Sequence, residues 1–113
     1  MVEYKLDIDR IFYSLADPTR RDILKRVAKK ELSVNELAER YDLTLAAVSK
    51  HIQVLAKAHL IEKRREGTHQ YIALSPPAMK FAYEYIEEYR KIWEEKFERL
   101  DEVLEKLKKK HYG

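Results

Sequence analysis

The residues of this 113-residue chain that can do chemistry are four scattered histidines and a knot of basic side chains in one stretch, with no cysteine anywhere. No serine, histidine and carboxylate are spaced as nucleophile, base and orienter. The acidic groups towards the C-terminal end alternate with lysines as solvated helix faces do, so an enzyme reading ranks last. Without cysteine there are no disulfides, thiolate metal sites or thiol redox sensors. What remains is charge and hydrogen bonding, and the charge is unevenly placed. Residues 1–43 hold nine basic and nine acidic groups, and residues 71–113 again nine of each. The stretch 44–70 holds Lys50, Lys57, Lys63, Arg64 and Arg65 against Glu62 and Glu66, so the whole surplus of +3 sits there. A locally basic surface is the footprint of a partner that is a polyanion.

Within that stretch the residue types are specific. Val48, Ile52 and Leu55 recur at i, i+4 and i+7 and define the buried face of a helix over about 44–58. The opposite face carries Ala46, Ser49, Lys50, Gln53 and Lys57. Small residues there permit close approach to a DNA major groove, Ser49 and Gln53 can hydrogen-bond base edges, and Lys50 can reach guanine or phosphate. Thr44 and Leu45, at the positive N-terminus of the helix, would meet backbone phosphate and a thymine methyl. Any soluble helix has a polar outer face, so this helix alone leaves the two readings balanced. The next segment separates them. Leu60 to Arg65, then Glu66-Gly67, then Thr68 to Leu74 read as a hairpin over about 60–74 whose first strand is basic. Lys63, Arg64, Arg65, Thr68 and His69 would then lie close enough to the helix to reach flanking phosphates or the minor groove. A charged edge hairpin explains the basic residues but not their place in the order.

The elements that must position these side chains are marked by period and by caps. Ile8, Ile11, Phe12 and Leu15 form the stripe of a first helix over about 5–16. Asp17-Pro18 opens a second, buried through Ile23, Leu24 and Val27. Ser33-Val-Asn-Glu36 is a capping box for a short third helix that must stop near Tyr41-Asp42. Ser75-Pro76-Pro77 restarts helix over about 76–109, where Ala82, Ile86, Tyr89, Trp93, Leu100, Val103 and Leu107 follow three- and four-residue steps broken at Lys96. The predicted fold is mainly α with a small β-hairpin: a winged helix-turn-helix in one domain, 1–113, ending in a long dimerisation helix. From Ala82 to Leu107 that helix is about 40 Å long, more than one small core can cover, which implies a second copy. The expected C2 interface joins Ile8, Ile11 and Phe12 to Tyr85, Tyr89, Ile92, Trp93 and Leu100.

Bulk properties agree. The length fits one domain. Charged Glu3, Lys5 and Asp7 near the start are unlike a secretory signal, and no apolar run approaches the roughly 20 residues needed to span a bilayer, so the expected location is the cytoplasm, with no membrane partner. One asparagine and two glutamines amid abundant Glu, Lys and Arg match the bias of proteins from hot environments.

The residues also resemble a known family. Leu15-Ala-Asp-Pro-Thr-Arg20 with Ile23-Leu24, Leu43-Thr-Leu-Ala-Ala-Val-Ser-Lys-His-Ile52 with Leu55 and Ala58, Arg65-Glu-Gly67 and Tyr71-Ile-Ala-Leu74 are together similar to the arsenic-repressor (ArsR) family over about Ile11 to Leu74. The resemblance implies a dimer joined through the first and last helices, with the fourth helix reading the major groove. It departs from the family's metal sensors. Ser33 and Asn35 stand where those carry thiolates, and no histidine occurs between Pro76 and Lys110, leaving only His111. The chain therefore resembles the metal-independent branch, with no cofactor and no metal, and with an unknown small-molecule or protein effector left open. His59 replaces the usual glycine after the recognition helix and is expected to adopt a left-handed conformation. The tyrosines around Tyr85 suit a dimer core better than an effector pocket. The rival to a DNA-binding repressor is a winged module that binds another protein instead.

Overall fold

In the computed structural model, which describes residues 5–112, each of the first four helices begins where a side chain can take up one or more of its first free N–H groups. Asp7 accepts from the backbone N–H of Asp9 (3.0 Å) and Arg10 (3.4 Å) and opens α1, Ile8–Leu15. Asp17 accepts from Arg20 N (3.0 Å) and opens α2, Pro18–Lys29, with proline in the first turn, where its missing donor costs nothing. Ser33 and Glu36 form the reciprocal capping box of α3, Val34–Tyr41 (3.1 and 3.3 Å). Thr44 caps α4, Leu45–Lys57, through Ala47 N (3.1 Å).

Two helices end in the same way. Asp42 (φ 52°) follows α3 and His59 (φ 60°) follows α4, both left-handed. Behind them Leu43 N donates to Ala38 O (3.2 Å) and Leu60 N to Leu55 O (3.1 Å), the long bond of a Schellman motif that satisfies the last carbonyls. The left-handed His59 agrees with the sequence reading. At Asp42 the sequence marked the stop but not its geometry.

After α4 the chain forms β2, Ile61–Glu66, and β3, His69–Leu74, joined by Gly67-Thr68. Gly67 has φ 62°, the positive value needed at the first position of a two-residue hairpin loop of this type. The expected hairpin is here one part of a three-stranded antiparallel sheet of order β1-β3-β2, in which β1 is only Leu32–Ser33. Leu32 faces Ile72 and Ser33 faces Tyr71. Two residues have no readable period, so β1 was invisible in the sequence. Helix α5, Pro76–Tyr112, completes the chain. The sequence reading of Glu3 and of the His111 side chain lies outside the described residues.

The chain divides into two compact units at the Ala82 to Tyr83 boundary. The first holds the core, in which Ile11, Ile23, Leu37, Ile52, Leu55 and Ile72 are fully or almost fully buried, with Ala78 and Ala82 from the start of α5. Ile11 is 0% exposed in this core. That corrects its placement in a dimer interface: one helical stripe served two readings, and the core took Ile11. Ile8 is half-buried and Phe12 exposed, so surface remains on α1. In the second unit no described residue is buried. Tyr89, Ile92, Trp93 and Leu100 are all exposed, Trp93 at 45%, and Tyr85 is half-buried with its hydroxyl 3.3 Å from that of Tyr89. The Lys96 ammonium lies 4.8 Å from the centroid of the Trp93 ring, so the residue that breaks the apolar steps lies on the aromatic seam itself.

Candidate nucleic-acid interface

Helix α4 turns one face in and one out. Val48, Ile52 and Leu55 are buried, which leaves Leu45, Ala46, Ser49, Lys50, Gln53 and Lys57 exposed in the register the sequence predicted. Thr44 is exposed as well, but its oxygen is committed to the helix cap. Its hydroxyl hydrogen and the first N–H groups of α4 are what it can offer an anion, on the positive end of the helix dipole. Lys63, Arg64, Arg65, Thr68 and His69 are also exposed, on the hairpin that follows α4.

The structure separates the three basic residues of β2. Successive strand residues point to opposite faces, and directly paired residues share one. Lys63 pairs with buried Ile72 and Arg65 with Gln70, whereas Arg64 pairs with Tyr71. Arg64 is held by Glu66 (2.6 Å) and by Glu31, and its guanidinium lies 4.9 Å from the Tyr71 ring centroid. The two carboxylates raise its already high pKa further. Lys63 and Arg65 thus share the face of buried Ile61 and Ile72, and Arg64, exposed on the opposite face, is the one of the three that already has two acidic partners. No ion pair engages Lys63 or Arg65 among the described residues.

Two clusters that the sequence reading missed hold α4 and α3 in place. Arg20, almost buried, donates from Nε to Ser14 O (2.8 Å) and from Nη2 to Tyr13 O (3.0 Å), so it satisfies carbonyls at the end of α1. Its Nη1 lies 3.4 Å from His51 Nδ1 on α4, and Asp17 Oδ2 lies 3.9 Å from the same nitrogen. Ser14 Oγ donates to Arg10 O (2.8 Å) and approaches Val54 O (3.3 Å), a second tie from α1 to α4. The backbone N–H of Arg20 keeps the Asp17 carboxyl below its usual range despite some desolvation. In the other cluster the Tyr41 hydroxyl donates to Asp22 (2.5 Å), which also accepts from Arg26 Nε (2.7 Å), joining α3 to α2. Burial, then the bond to Asp22, pushes the Tyr41 hydroxyl up to about 12. The bonds from Tyr41 and Arg26 hold Asp22 low. The one signal for the first cluster was a cation, Arg20, in the first turn of a helix, where the dipole disfavours it.

Among the described residues no three histidine or carboxylate side chains gather as a metal set, and no helix is long and apolar enough to cross a membrane. Residues 15–64 match a family described as a helix-turn-helix domain. HTH-type transcriptional regulator Rv2034 of Mycobacterium tuberculosis is 41% identical over 71 residues, 63% of this chain and 66% of that protein. Transcriptional repressor SdpR of Bacillus subtilis is 26% identical over 73 residues, 65% of this chain and 81% of that protein. The chain spans between 45% and 81% of the length of the first three curated relatives it matches. Among solved structures, an ArsR family transcriptional regulator superposes with a TM-score of 0.74 at 31% identity, covering 83% of this chain and 97% of that one. A homodimeric winged helix-turn-helix DNA-binding domain from Mycobacterium bovis, described as a possible ArsR-family regulator, gives 0.60 at 29% identity, covering 77% of this chain and 82% of that one.

Fold and site together define a winged helix-turn-helix protein. The chain belongs to the ArsR family of transcriptional regulators.

Proposed function

We propose that this regulator is a homodimeric repressor that binds double-stranded DNA in a sequence-specific way and acts by occupying a palindromic operator. The observation that carries the reading is the outward row Ser49, Lys50 and Gln53 on α4, backed by buried Val48, Ile52 and Leu55 and followed at once by a hairpin with two cations, Lys63 and Arg65, that no ion pair engages among the described residues. α4 would enter the major groove and read base edges, while the hairpin neutralises flanking phosphates. A second copy, joined through α1 and α5, would place two such helices on half-sites about one helical turn apart or a small multiple of it. The homodimeric state of the Mycobacterium bovis neighbour and the exposed apolar residues of α5 support that association. Repression by occupancy needs no surface beyond these, and a matched relative carries the name repressor.

The same reading places the protein in the cytoplasm, where the DNA is, and gives it no catalytic role. Ser33 and Asn35 are poor soft-metal ligands, so operator affinity should be the same with zinc, cadmium or arsenite present or absent. Selection of bound fragments from the source genome, followed by a salt series on the selected and on a random duplex, tests the proposal. Expected are a palindromic consensus and an affinity for both duplexes that falls steeply with salt. Weak, salt-insensitive binding to both would favour the protein-interaction reading instead.

A further inference from the structure

The wing carries three consecutive cations, and the structure gives them different work. Glu62, Arg64 and Glu66 project on the face of β2 that they share with their partners Ala73, Tyr71 and His69, whereas Lys63 and Arg65 project on the other face with Ile72 and Gln70. The first face carries a net negative charge from its two carboxylates and one guanidinium; the second carries two positive charges and no carboxylate of the hairpin. A phosphate backbone laid against the wing is attracted by the second face and repelled by the first.

Arg64 has another destination. β1 is two residues long and pairs only with Tyr71 and Ile72, so the strand ladder on that side stops short of Gln70 and the hairpin tip. β2 is the outer strand, and every residue from Glu62 to Gln70 is exposed. Arg64 crosses the Tyr71 ring on the middle strand and reaches Glu31, the residue before β1, while its other nitrogen holds Glu66 on its own strand (2.6 Å). One side chain thus spans all three strands at the last point where the sheet is three strands wide.

Building on the DNA-binding reading, we infer that Arg64 is a positioning residue: tied to Glu31 and Glu66, it holds the wing at a fixed angle so that Lys63 and Arg65, and not Arg64, meet the DNA backbone. The tie is solvent-exposed, and exposed ion pairs add little to global stability. Its effect falls on the hairpin, whose fluctuations set how much order must be lost before phosphates are engaged.

The test uses the full-length protein and three single variants, Lys63→Ala, Arg64→Ala and Glu31→Gln, with the double variant of the last two. On the operator and on a random duplex, Lys63→Ala should flatten the slope of log affinity against log salt by about two units, one phosphate contact in each half of a dimer. Arg64→Ala should weaken binding several-fold with the slope changed by less than about half a unit. In the free protein, hydrogen exchange of the amides of residues 65–70 should quicken about 3- to 10-fold in Arg64→Ala and in Glu31→Gln, and no further in the double variant. Lys63→Ala should leave it unchanged. Glu31 lies outside the hairpin, so faster exchange at the tip on its replacement reports the tie and not strand propensity. A slope for Arg64→Ala as flat as that for Lys63→Ala, or unaltered exchange in Glu31→Gln, would overturn the inference. If the wild type bound no duplex at all, the functional proposal would fall, and the exchange data alone would still decide whether the tie exists.

Discussion

Residues 5–82 and residues 83–112 are built from similar apolar fractions and use them in opposite ways. The first unit turns Ile11, Ile23, Leu37, Ile52 and Ile72 wholly inward, and the polar groups left at its corners are answered locally, Arg20 by the carbonyls of Tyr13 and Ser14 and Asp22 by Tyr41 and Arg26. The second is a single helix whose Ile86, Tyr89, Ile92, Trp93, Leu100 and Leu107 are all exposed. Apolar stripes of that extent are stable in water only when something covers them. The contrast teaches that the first unit buries its apolar residues by itself, whereas the second leaves its stripe exposed for the proposed second copy to cover.

The largest effect expected from that contrast is on association. Trp93→Glu puts a charge into the seam of both copies, and the loss of two aromatic anchors should cost the dimer about 4 kcal/mol, close to a 1000-fold rise in Kd. Sedimentation at micromolar concentration should show monomer, while the near-ultraviolet signature of the packed first unit persists. A dimer unaffected by this change would mean that the seam faces something else. Within the first unit, Ile11→Ala should destabilise folding by roughly 2–5 kcal/mol through an unfilled cavity, read by urea denaturation. Leu107→Ala, chemically the same kind of truncation, should leave that transition unchanged once it is measured on the dissociated chain. Equal losses for the two would erase the distinction.

The comparison sharpens at the site. Gln53→Ala on α4 should relax discrimination at one base pair in each half-site by roughly 1–3 kcal/mol, with random-duplex affinity nearly unaltered. Uniform weakening on both duplexes would reassign Gln53 to phosphate. Smaller still is Asp42→Gly. Asp42 sits at φ 52°, so removing its Cβ should stabilise the first unit by up to about 0.5–1 kcal/mol, partly offset by unfolded-chain entropy. The smallest effect at neutral pH belongs to Tyr41. Its folded-state pKa is raised from 10.0 to about 12, so the folded state favours the protonated phenol. Its contribution is complete below about pH 10 and is lost as pH rises from there through 12. Absorbance near 295 nm should show one tyrosine ionising near pH 12, absent in Tyr41→Phe.

Much of this was legible in one dimension because it is local. A cap needs a donor or acceptor within three residues, so Asp17-Pro18, Ser33 to Glu36 and Thr44 announced the starts of α2, α3 and α4. Period 3.6 separated Val48, Ile52 and Leu55 from Ser49, Lys50 and Gln53, and Gly67 marked the hairpin loop. The family resemblance agreed with the dimer and the order of helices that period and caps had already implied.

What the sequence could not decide depends on partners far away along the chain. Ile11 belongs to a stripe that fits either a core or an interface, and only the packing of α1 against α2 and α4 assigned it to the core. β1 exists because residues 32–33 meet residues 71–72, a pairing without local signal. Strand alternation implied that Lys63, Arg64 and Arg65 could not all face one way, but not that Arg64 would find Glu31, 33 positions earlier, across the sheet. Arg20 and His51 are 31 positions apart and meet because α2 and α4 do. Sequence sets what each side chain can do and which way a local element faces it. Only the tertiary fold sets which distant charge or carbonyl it finds there, and so whether a cation is left for DNA or is already taken.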